Sequence, residues 1–426
     1  MFIIGRSISS PMIQRPRGTR DFGPEEMEVR RHFEDMMRKE AALHGFREIA
    51  TPIFEHTELF TLKSGPGVVE EIYAFQDKGG REICLRPELT ASVMRFFISD
   101  LTNLPRPLKL FYFGQCFRYE RPQAGRYREF FQFGAEIIGS PTPETDAEAI
   151  GLAAAILERT GLRDYRIRIG HIGILREMLA RAGVSGDAAL PILQRLDKKE
   201  YPEAEALMAQ AGMGREAING VIATTQVTGP ITVLDGVQGP AGAYIREVYD
   251  ILQAMGFSNL SVDLGVVRGL AYYTGMVFEV DAPKLGAEKQ ICGGGSYSLS
   301  ELFGGEKVFS TGFAIGFDRT LLAIQAEGVE FVRPGITAYV VPVTDSARMR
   351  AFQVVGMLRR AGVSADVDIM RRGVGKSLRY ASSINAKYAV IVGEKELESD
   401  SVTLRDMASG EQSLVRAEEL PKRLKE

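Results

Sequence analysis

The spacing of apolar and polar residues in the first third of the chain predicts one long helix followed by short strands. The helix is expected to begin at Pro24, with acidic residues in its first turn, and to end at Gly45. Runs rich in aromatic and β-branched residues predict strands at 83–85, 108–117 and 130–138. The last two runs flank a charged segment, 118–129, so the simplest arrangement is an antiparallel hairpin with a long basic loop.

The middle of the chain changes to helical periodicity before strands return. Helices are predicted at 146–160 and through most of about 172–258, and strands at 260–267, 272–280 and 313–315. The run Gly293-Gly294-Gly295 is interpreted as a turn between the last two strands.

The last part of the chain has a third pattern, in which strands and helices alternate. A linker is expected at Arg333-Pro334-Gly335. Beyond it the predicted order is strand, helix, strand, helix, strand, at 338–341, 348–361, 365–369, 376–385 and 388–392. Such alternation indicates a small α/β domain with a largely parallel sheet, here 336–426.

Composition places the chain among soluble globular proteins. It has 426 residues, 45% of them hydrophobic and 25% charged, with a formal net charge of -3. These values favour two or three domains and argue against disordered, collagen-like or coiled-coil proteins. The apolar run at the N-terminus is too short for a secretion signal, and no stretch approaches the length of a membrane span.

Cysteine usage and local charge add two weaker expectations. The three cysteines lie far apart without a CxxC pair, which argues against a disulfide framework or zinc knuckle and favours the cytoplasm. Residues 336–426 contain 15 Lys and Arg against 12 Asp and Glu, a net charge of +3. This permits contact with nucleic acid but is also common in ordinary solvated domains.

The predicted hairpin carries the strongest candidate chemistry. On its second strand the polar or small residues Gln132, Gly134 and Glu136 share one face, which in isolation would be read as a solvent-facing side. The loop and the end of the first strand add four arginines within eleven positions: Arg118, Arg121, Arg126 and Arg128. Because guanidinium groups are planar, permanent cations, the combination indicates a phosphate site.

Other local patterns are weak when taken one at a time. The segment Arg86 to Thr90 could simply be a strand end followed by a helix cap, and the segment Arg268 to Gly275 places an arginine before two tyrosines. The run Gly373 to Ser377 lacks the glycine that a phosphate-binding loop needs five residues before Gly375, so it is interpreted as a strand-to-helix connection. The four histidines have no metal-ligand spacing.

In order along the chain, these segments resemble the class II aminoacyl-tRNA synthetases, and more narrowly the histidyl-tRNA synthetase family. The opening 17–22 (RGTRDF) resembles that of the family, and 45–55 resembles motif 1, the dimer-forming element. Residues 117–130 resemble motif 2 and 312–319 resemble motif 3. The stretch 268–275 (RGLAYYTG) is similar to the family's histidine-specific signature.

The resemblance implies an α+β catalytic core over residues 1–330, with an antiparallel β-sheet flanked by helices and a mostly helical insertion at about 172–258. It also implies that the α/β domain at 336–426 is an anticodon-binding domain. The expected assembly is a homodimer, and the expected partners are L-histidine, ATP with Mg²⁺, and histidine tRNA, with no tightly bound metal in the protein.

The resemblance further assigns roles to individual residues. It implies that Arg118 and Arg268 are catalytic and contact the α-phosphate and the histidine carboxylate. The implied ATP-binding residues are Arg118, Glu120, Arg126, Phe130 and Arg319. The implied histidine-binding residues are Glu88, Leu89, Thr90, Arg118, Gln132, Glu136, Arg268, Tyr272 and Tyr273, with Glu136 and Tyr273 bonded to the imidazole nitrogens.

Three positions depart from the family pattern. Ala271 stands where the family usually has Asp, and Ser296 and Ser298 stand where it usually has Arg and Asp. These departures keep open a non-catalytic alternative, the histidine-sensing regulatory subunit of ATP phosphoribosyltransferase. That paralogue typically lacks the C-terminal domain, which is present here, and the sequence therefore favours the synthetase.

Overall fold

The computed structural model describes residues 13–120, 125–266, 273–331 and 335–425. It divides into two compact units, the first made chiefly of residues 30–330 and the second chiefly of residues 331–426. The first unit contains a long helix, two sheets and a set of inserted helices. Each unit is built around its own buried apolar clusters.

The predicted helix is present, and its larger part, from Arg30 onward, belongs to the first unit. Helix α1 (Pro24–Leu43) buries Phe33 and Met37, and the positive φ of Gly45 (78°) follows it, as the sequence predicted. Strand β1 (Arg47–Glu48) then pairs with the large sheet. The next elements form a small antiparallel sheet and two short helices: β2 (Phe54–His56), α2 (Thr57–Ser64), β3 (Tyr73–Gln76), β4 (Glu82–Leu85) and α3 (Thr90–Phe96). The small sheet has the order β2-β4-β3.

The predicted hairpin is present with almost the predicted bounds. Strands β5 (Leu108–Phe117) and β6 (Glu129–Ile138) pair antiparallel from Leu108↔Ile138 to Phe117↔Glu129. They are followed by α4 (Pro143–Arg159), β7 (Arg166–His171), α5 (Ile172–Arg181), α6 (Ala189–Asp197), α7 (Tyr201–Gln210), α8 (Arg215–Thr224), β8 (Thr228–Gly229) and α9 (Pro240–Ala254). Helices α5 to α8 bury their own apolar cluster, as expected of an inserted helical module.

The large sheet is completed by strands from the end of the first unit. These are β9 (Leu260–Asp263), β10 (Tyr273–Asp281), β11 (Gln290–Tyr297) and β12 (Ser310–Gly316), and helix α10 (Phe317–Ala326) follows. In the described residues the sheet has nine strands in the order β1-β5-β6-β12-β11-β10-β7-β9-β8. The pairings β1–β5 and β7–β9 are parallel and the others are antiparallel.

Two sequence predictions in this region are wrong. The predicted strand at 260–267 ends at Asp263, where the chain turns and Gly265 donates its N–H to the Asp263 side chain. The run Gly293-Gly294-Gly295 is not a turn but the middle of β11. A β-carbon on Gly294 would lie 2.3 Å from the carbonyl oxygen of Gly312 on β12, so the glycine permits close packing of neighbouring strands.

The second unit is a five-stranded α/β domain. Its elements are β13 (Ala338–Pro342), α11 (Arg348–Arg360), β14 (Ala365–Val367), α12 (Val374–Ser383), β15 (Tyr388–Val392), α13 (Glu394–Glu398), β16 (Ser401–Asp406), β17 (Gln412–Arg416) and α14 (Leu420–Arg423). Strands β14, β13 and β15 are parallel as predicted, whereas β16 and β17 add antiparallel strands that the sequence analysis did not predict. Gly373 is the N-cap of α12, so the run that resembles a phosphate loop forms the first turn of this helix, and the connection from β14 lies before it.

The remaining sequence expectations are of mixed status. The predicted linker at 333–335 lies largely outside the described residues. Among the helices that are described, none is long and apolar enough to cross a membrane. All three cysteines are buried free thiols.

Candidate active site

A cleft of about 800 Å³ lies on one face of the large sheet. Its lining comes from β6, β10, β11 and β12, from α2 and the start of α3, and from the loop between β5 and β6. Nine of the residues assigned to the site from sequence lie together in this lining: Glu88, Thr90, Arg118, Glu120, Arg126, Phe130, Gln132, Tyr273 and Arg319. The sheet therefore gathers residues that are more than 200 positions apart.

Some of the assigned residues lie elsewhere. Leu89 is only 2% exposed and packs in the apolar core rather than in the cleft lining. Glu136 is completely buried next to the cleft. Arg268 and Tyr272 lie outside the described residues, as do Arg121 and Ala271.

One end of the cleft is rich in guanidinium groups. Arg118 and Arg126 both approach Glu120, with nitrogen-to-oxygen distances of 3.9 and 3.8 Å. Arg319 donates hydrogen bonds to the carbonyl oxygens of Gly125 (3.2 Å) and Gln290 (2.9 Å), which orients it from two sides. Asp318, next to Arg319, is paired with Arg20 and Arg30. The three arginines of the lining therefore outnumber the other carboxylate beside them, Glu120, and this end has a positive charge suited to an anionic ligand.

Arg118 is fixed at the boundary between this end and the rest of the cleft. Its Nε donates to the carbonyl oxygen of Pro87 at 3.0 Å, and its guanidinium lies 5.1 Å from the centroid of the Phe130 ring. The backbone N–H of Arg118 also donates to Arg128 across the hairpin. These contacts leave the guanidinium with unused donors toward the cleft, since the group has five N–H bonds.

The opposite end of the cleft contains carboxylates. Glu88 accepts hydrogen bonds from the backbone N–H groups of Thr90 (2.6 Å) and Ala91 (3.1 Å) and so caps helix α3. Lys63, only 6% exposed, forms an ion pair with Glu88 at 3.1 Å and also lines the cleft. The sequence analysis missed Lys63, because a single lysine in a short helix has no local pattern that marks it.

Below this end, Glu136 is held by two tyrosines. Its carboxylate accepts hydrogen bonds from the hydroxyl groups of Tyr112 (2.9 Å) and Tyr297 (2.5 Å). Burial raises the pKa of the Glu136 carboxyl from its ordinary 4.5 to about 7, and the hydroxyl donors oppose that rise only in part. The ring of Tyr112 occupies the space over Gly134, where a β-carbon would come within 2.4 Å of it.

Two neutral groups complete this end of the cleft. The Oε1 atom of Gln132 lies 3.3 Å from the thiol of Cys116, which donates to it. Tyr273 begins β10 and lies opposite Tyr297 of β11 in the strand register. A ligand at this end would therefore meet the Glu88–Lys63 pair, an amide and a phenol, with the buried carboxylate of Glu136 beneath them.

The departures from the family pattern at 296 and 298 have distinct surroundings. The Ser296 hydroxyl donates to the buried carboxylate of Asp146 at 2.8 Å, and Tyr244 donates to the same carboxylate at 2.7 Å. Burial raises the pKa of Asp146, while these hydroxyl donors favour its ionised form. The Ser298 hydroxyl reaches the carbonyl oxygen of Val308 at 3.5 Å.

A second ionic cluster, also missed from the sequence, lies at the cleft wall. Arg168 of β7 binds Asp263 (2.7 Å), Asp281 (3.0 Å) and Glu279, and Lys289 binds Asp281 at 3.2 Å. Burial opposes the charge on Arg168, but the three carboxylates outweigh it and raise its pKa. The four strand residues lie on neighbouring strands, so only the pairing of β7, β9 and β10 brings them together.

The whole site can bind an amphoteric molecule beside a polyanion. Cations at one end suit a phosphate chain, and carboxylates at the other suit an ammonium group and a nitrogen heterocycle. Between the ends, the arginine at 118 faces both. Such an arrangement brings a carboxylate and a phosphorus atom together for transfer.

Comparison with known proteins shows the family of this chain. A family model described as histidyl-tRNA synthetase matches residues 18–320, and one described as an anticodon binding domain matches 337–426. The chain is 44% identical over 411 residues to the histidine–tRNA ligase of Archaeoglobus fulgidus, covering 96% of this chain and 98% of that one. It is 45% identical over 413 residues to the ligase of Methanosarcina acetivorans, covering 96% and 97%.

Solved structures give the same result for the fold. The apo histidyl-tRNA synthetase of S. aureus is 30% identical with a TM-score of 0.73, and the match covers 97% of this chain and 100% of that chain. A protein of Bacillus halodurans C, described as an ATP phosphoribosyltransferase regulatory subunit/histidyl-tRNA synthetase, is 25% identical with a TM-score of 0.75, over 90% and 98%. The expected class II fold is thereby confirmed, and the chain belongs to the histidyl-tRNA synthetase family.

Proposed function

We propose that this protein activates L-histidine with ATP and transfers the histidyl group to the 3′ end of histidine tRNA. The observation that carries the proposal is the polarity of the cleft, with Arg118, Arg126 and Arg319 at one end and Glu88 beside Glu136 at the other. Family membership supports the same activity, because the similar proteins from Archaeoglobus and Methanosarcina are histidine–tRNA ligases.

In the first step, a carboxylate oxygen of histidine attacks the α-phosphorus of ATP, and the bond from that phosphorus to the bridging oxygen of pyrophosphate breaks. Arg118 is proposed to stabilise the charge that develops on the α-phosphate, together with Arg268, which lies outside the described residues. Arg126 and Arg319 hold the remaining phosphates, and Glu120 and Phe130 lie near adenine. ATP enters with its own Mg²⁺ as part of the substrate.

In the second step, the terminal adenosine hydroxyl of the tRNA attacks the histidyl carbonyl carbon, and AMP leaves. The proposed binding of histidine uses Glu88, Thr90 and Gln132 for the ammonium group. Glu136 and Tyr273 bind the two imidazole nitrogens, and Tyr272 completes the proposed set. Leu89 packs in the apolar core and is not proposed to contact histidine. Glu136 has capacity for a ligand donor beside its two tyrosines, since a carboxylate has about four acceptor sites.

This assignment explains discrimination between amino acids. An analogue without the imidazole N–H would leave Glu136 without its ligand donor in a buried site, which is costly. We also propose that residues 336–426 bind the tRNA anticodon region, in keeping with their match to an anticodon-binding family.

Assembly as a homodimer and a cytoplasmic location are further parts of the proposal. Ile53 (41%) and Phe54 (59%), in the region that resembles motif 1, and Phe75 (46%) on β3 of the small sheet are exposed apolar residues. Sedimentation at micromolar concentration should give a species of twice the 46.9 kDa chain mass. The buried free thiols suit the reducing cytoplasm, where tRNA is charged.

The decisive experiment is exchange of labelled pyrophosphate into ATP by the purified protein. It needs no tRNA and therefore tests the cleft alone. Histidine should support exchange, and proline, threonine and glycine should not. Absence of exchange with every amino acid, from folded protein that still binds histidine, would refute the synthetase and favour the regulatory alternative.

Arg268→His offers a second test of the same proposal. This substitution should abolish most of the exchange while leaving the unfolding temperature unchanged. Full activity of the variant would remove Arg268 from the proposed catalytic set.

A further inference from the structure

Two arginines from the N-terminal part of the first unit share one carboxylate next to the cleft. Arg20 and Arg30 bind the same oxygen of Asp318, at 2.7 and 2.8 Å. The other oxygen of Asp318 accepts the backbone N–H of Phe131 at 3.0 Å. Asp318 is 5% exposed, so this is a nearly buried junction between α10 and β6.

The two arginines differ in what else they contact. Arg30 is 4% exposed, and its guanidinium lies 4.0 to 4.9 Å from the ring centroids of Phe22, Phe131 and Phe317. These contacts give it the surroundings of a core residue. The side chain of Arg20 is 20% exposed. Its guanidinium also lies 4.9 Å from the ring centroid of Phe22, but of the two arginines only Arg20 contacts Tyr127, at 3.5 Å from that ring centroid.

Tyr127 belongs to the loop that is proposed to bind ATP. It lies between Arg126, which lines the cleft, and Arg128, whose N–H donates to the carbonyl oxygen of Gly18 at 2.9 Å. A cation over the face of an aromatic ring is attracted by the ring's quadrupole, and more strongly where water is excluded. The contact with Arg20 therefore favours the loop position in which Tyr127 lies against this guanidinium.

On the other side of the junction, Asp318 precedes Arg319 in the first turn of α10. Arg319 in turn donates to the carbonyl oxygen of Gly125 at 3.2 Å, so this helix turn and the loop meet a second time within the cleft lining. Arg20 thus contacts Tyr127, the neighbour of Arg126, and Asp318, the neighbour of Arg319.

We propose that Arg20 is a positioning residue that holds the Arg126 loop against the first turn of α10, so that Arg126 and Arg319 face the same phosphate chain. The inference rests on the proposed function, since it assigns the phosphates to this end of the cleft. Arg20 acts through two contacts in the first unit, one with the carboxylate of Asp318 and one with the ring of Tyr127.

The test compares kinetic constants in histidine-dependent pyrophosphate exchange for Arg20→Ala, Arg20→Lys, Tyr127→Phe and Tyr127→Leu. Arg20→Ala and Tyr127→Leu should each raise the KM for ATP about tenfold, with kcat and the KM for histidine changed less than about threefold. Tyr127→Phe keeps the ring and should therefore raise the KM for ATP much less than Tyr127→Leu does. Arg20→Lys keeps the charge and should restore part of the loss.

The double variant Arg20→Ala/Tyr127→Leu separates positioning from independent effects. If the two residues act through one contact, the double variant should be no worse than either single variant. Arg31→Ala is the matched control, because this arginine is exposed on α1 and pairs with Glu34 rather than with the loop. Unfolding temperatures of all variants show whether each one is folded.

Three results would overturn the inference. They are an unchanged KM for ATP in both Arg20 variants, additive effects in the double variant, or an equal loss in every kinetic constant. Should Arg20→Ala fail to fold, Arg20→Lys and Tyr127→Leu still test the contact from its two sides. Failure of the proposed function itself is distinguishable, because the unchanged protein would then show no exchange at all.

Discussion

Replacing Glu136 by glutamine should remove a pH dependence from the folding of the first unit. Glu136 is 0% exposed, and its carboxylate is bonded to the hydroxyl groups of Tyr112 and Tyr297. Glutamine has nearly the same shape and keeps one acceptor oxygen for these donors. The substitution therefore removes the ionisation with little change in packing.

The magnitude follows from the pKa. In the folded protein the pKa of Glu136 rises from 4.5 to about 7 because the carboxylate is buried. Well below pH 4.5 the Glu136 carboxyl is protonated in both the folded and the unfolded protein, so its burial does not make the unfolding free energy depend on pH there. Between pH 4.5 and about 7 the unfolded chain is ionised while the folded carboxyl stays protonated, so the unfolding free energy falls by about 3 kcal/mol in total and levels off above the folded pKa.

The assay is urea unfolding followed by far-ultraviolet circular dichroism at pH 5, 6, 7 and 8, without histidine. The unfolding free energy of Glu136→Gln minus that of the unchanged protein should rise by about 2 to 3 kcal/mol over this range. Contributions from other buried groups, such as Asp146, are present in both proteins and largely cancel. Glu306→Gln, at an exposed position, controls for the loss of one negative charge. A difference that stays constant from pH 5 to 8 would refute the reasoning.

Three other substitutions have expected outcomes that urea unfolding can measure. Ser296→Ala should cost about 1 to 2 kcal/mol, because Asp146 loses one of its hydroxyl donors. Arg168→Leu should cost about 3 kcal/mol or more at pH 7 and less at pH 5, because it leaves three carboxylates together without their arginine. Gly294→Ala should cost about 3 kcal/mol or prevent folding, because its methyl group would meet the Gly312 carbonyl oxygen at 2.3 Å.

Each of these three predictions has its own contrary result. Ser296→Thr keeps the hydroxyl and should recover part of the loss, so equal losses in both variants would contradict a role for the hydrogen bond. For Arg168→Leu the contrary result is a loss of unfolding free energy at pH 5 that equals or exceeds the loss at pH 7. Gly220→Ala, where a β-carbon meets open space within α8, is the control for Gly294 and should be neutral or stabilising.

Local sequence patterns were sufficient to predict elements whose bounds are set locally. The hairpin strands were predicted at 108–117 and 130–138, and they occupy Leu108–Phe117 and Glu129–Ile138, because apolar runs end where charge begins. The prediction of a turn at 293–295 is wrong because these glycines have a different role: the absence of a side chain allows close contact between neighbouring strands. The sequence analysis did not predict strands β16 and β17, which are defined in the structure by their pairing with β15 and with each other.

The candidate site shows the same division between local and distant information. Arg118, Arg126 and Arg319 could be assigned because motif resemblance marks them. The partners of Arg168 could not, since Asp263, Glu279 and Asp281 are about a hundred positions away and acquire meaning only through strand pairing. The sequence likewise does not predict Tyr112 as a partner of Glu136, because only the pairing of β5 with β6 places its ring over Gly134.

The parallel pairing of β7 and β9 has a consequence for how this chain accommodates its helical module. Parallel neighbours need a crossover connection, and α9, which packs against α4 and β7, is enough to supply one. Helices α5 to α8 are then not needed for the crossover. They form an insertion between β7 and α9 that has a hydrophobic cluster of its own. Such an insertion can lengthen, shorten or change its surface over evolutionary time while the catalytic sheet keeps its strand order.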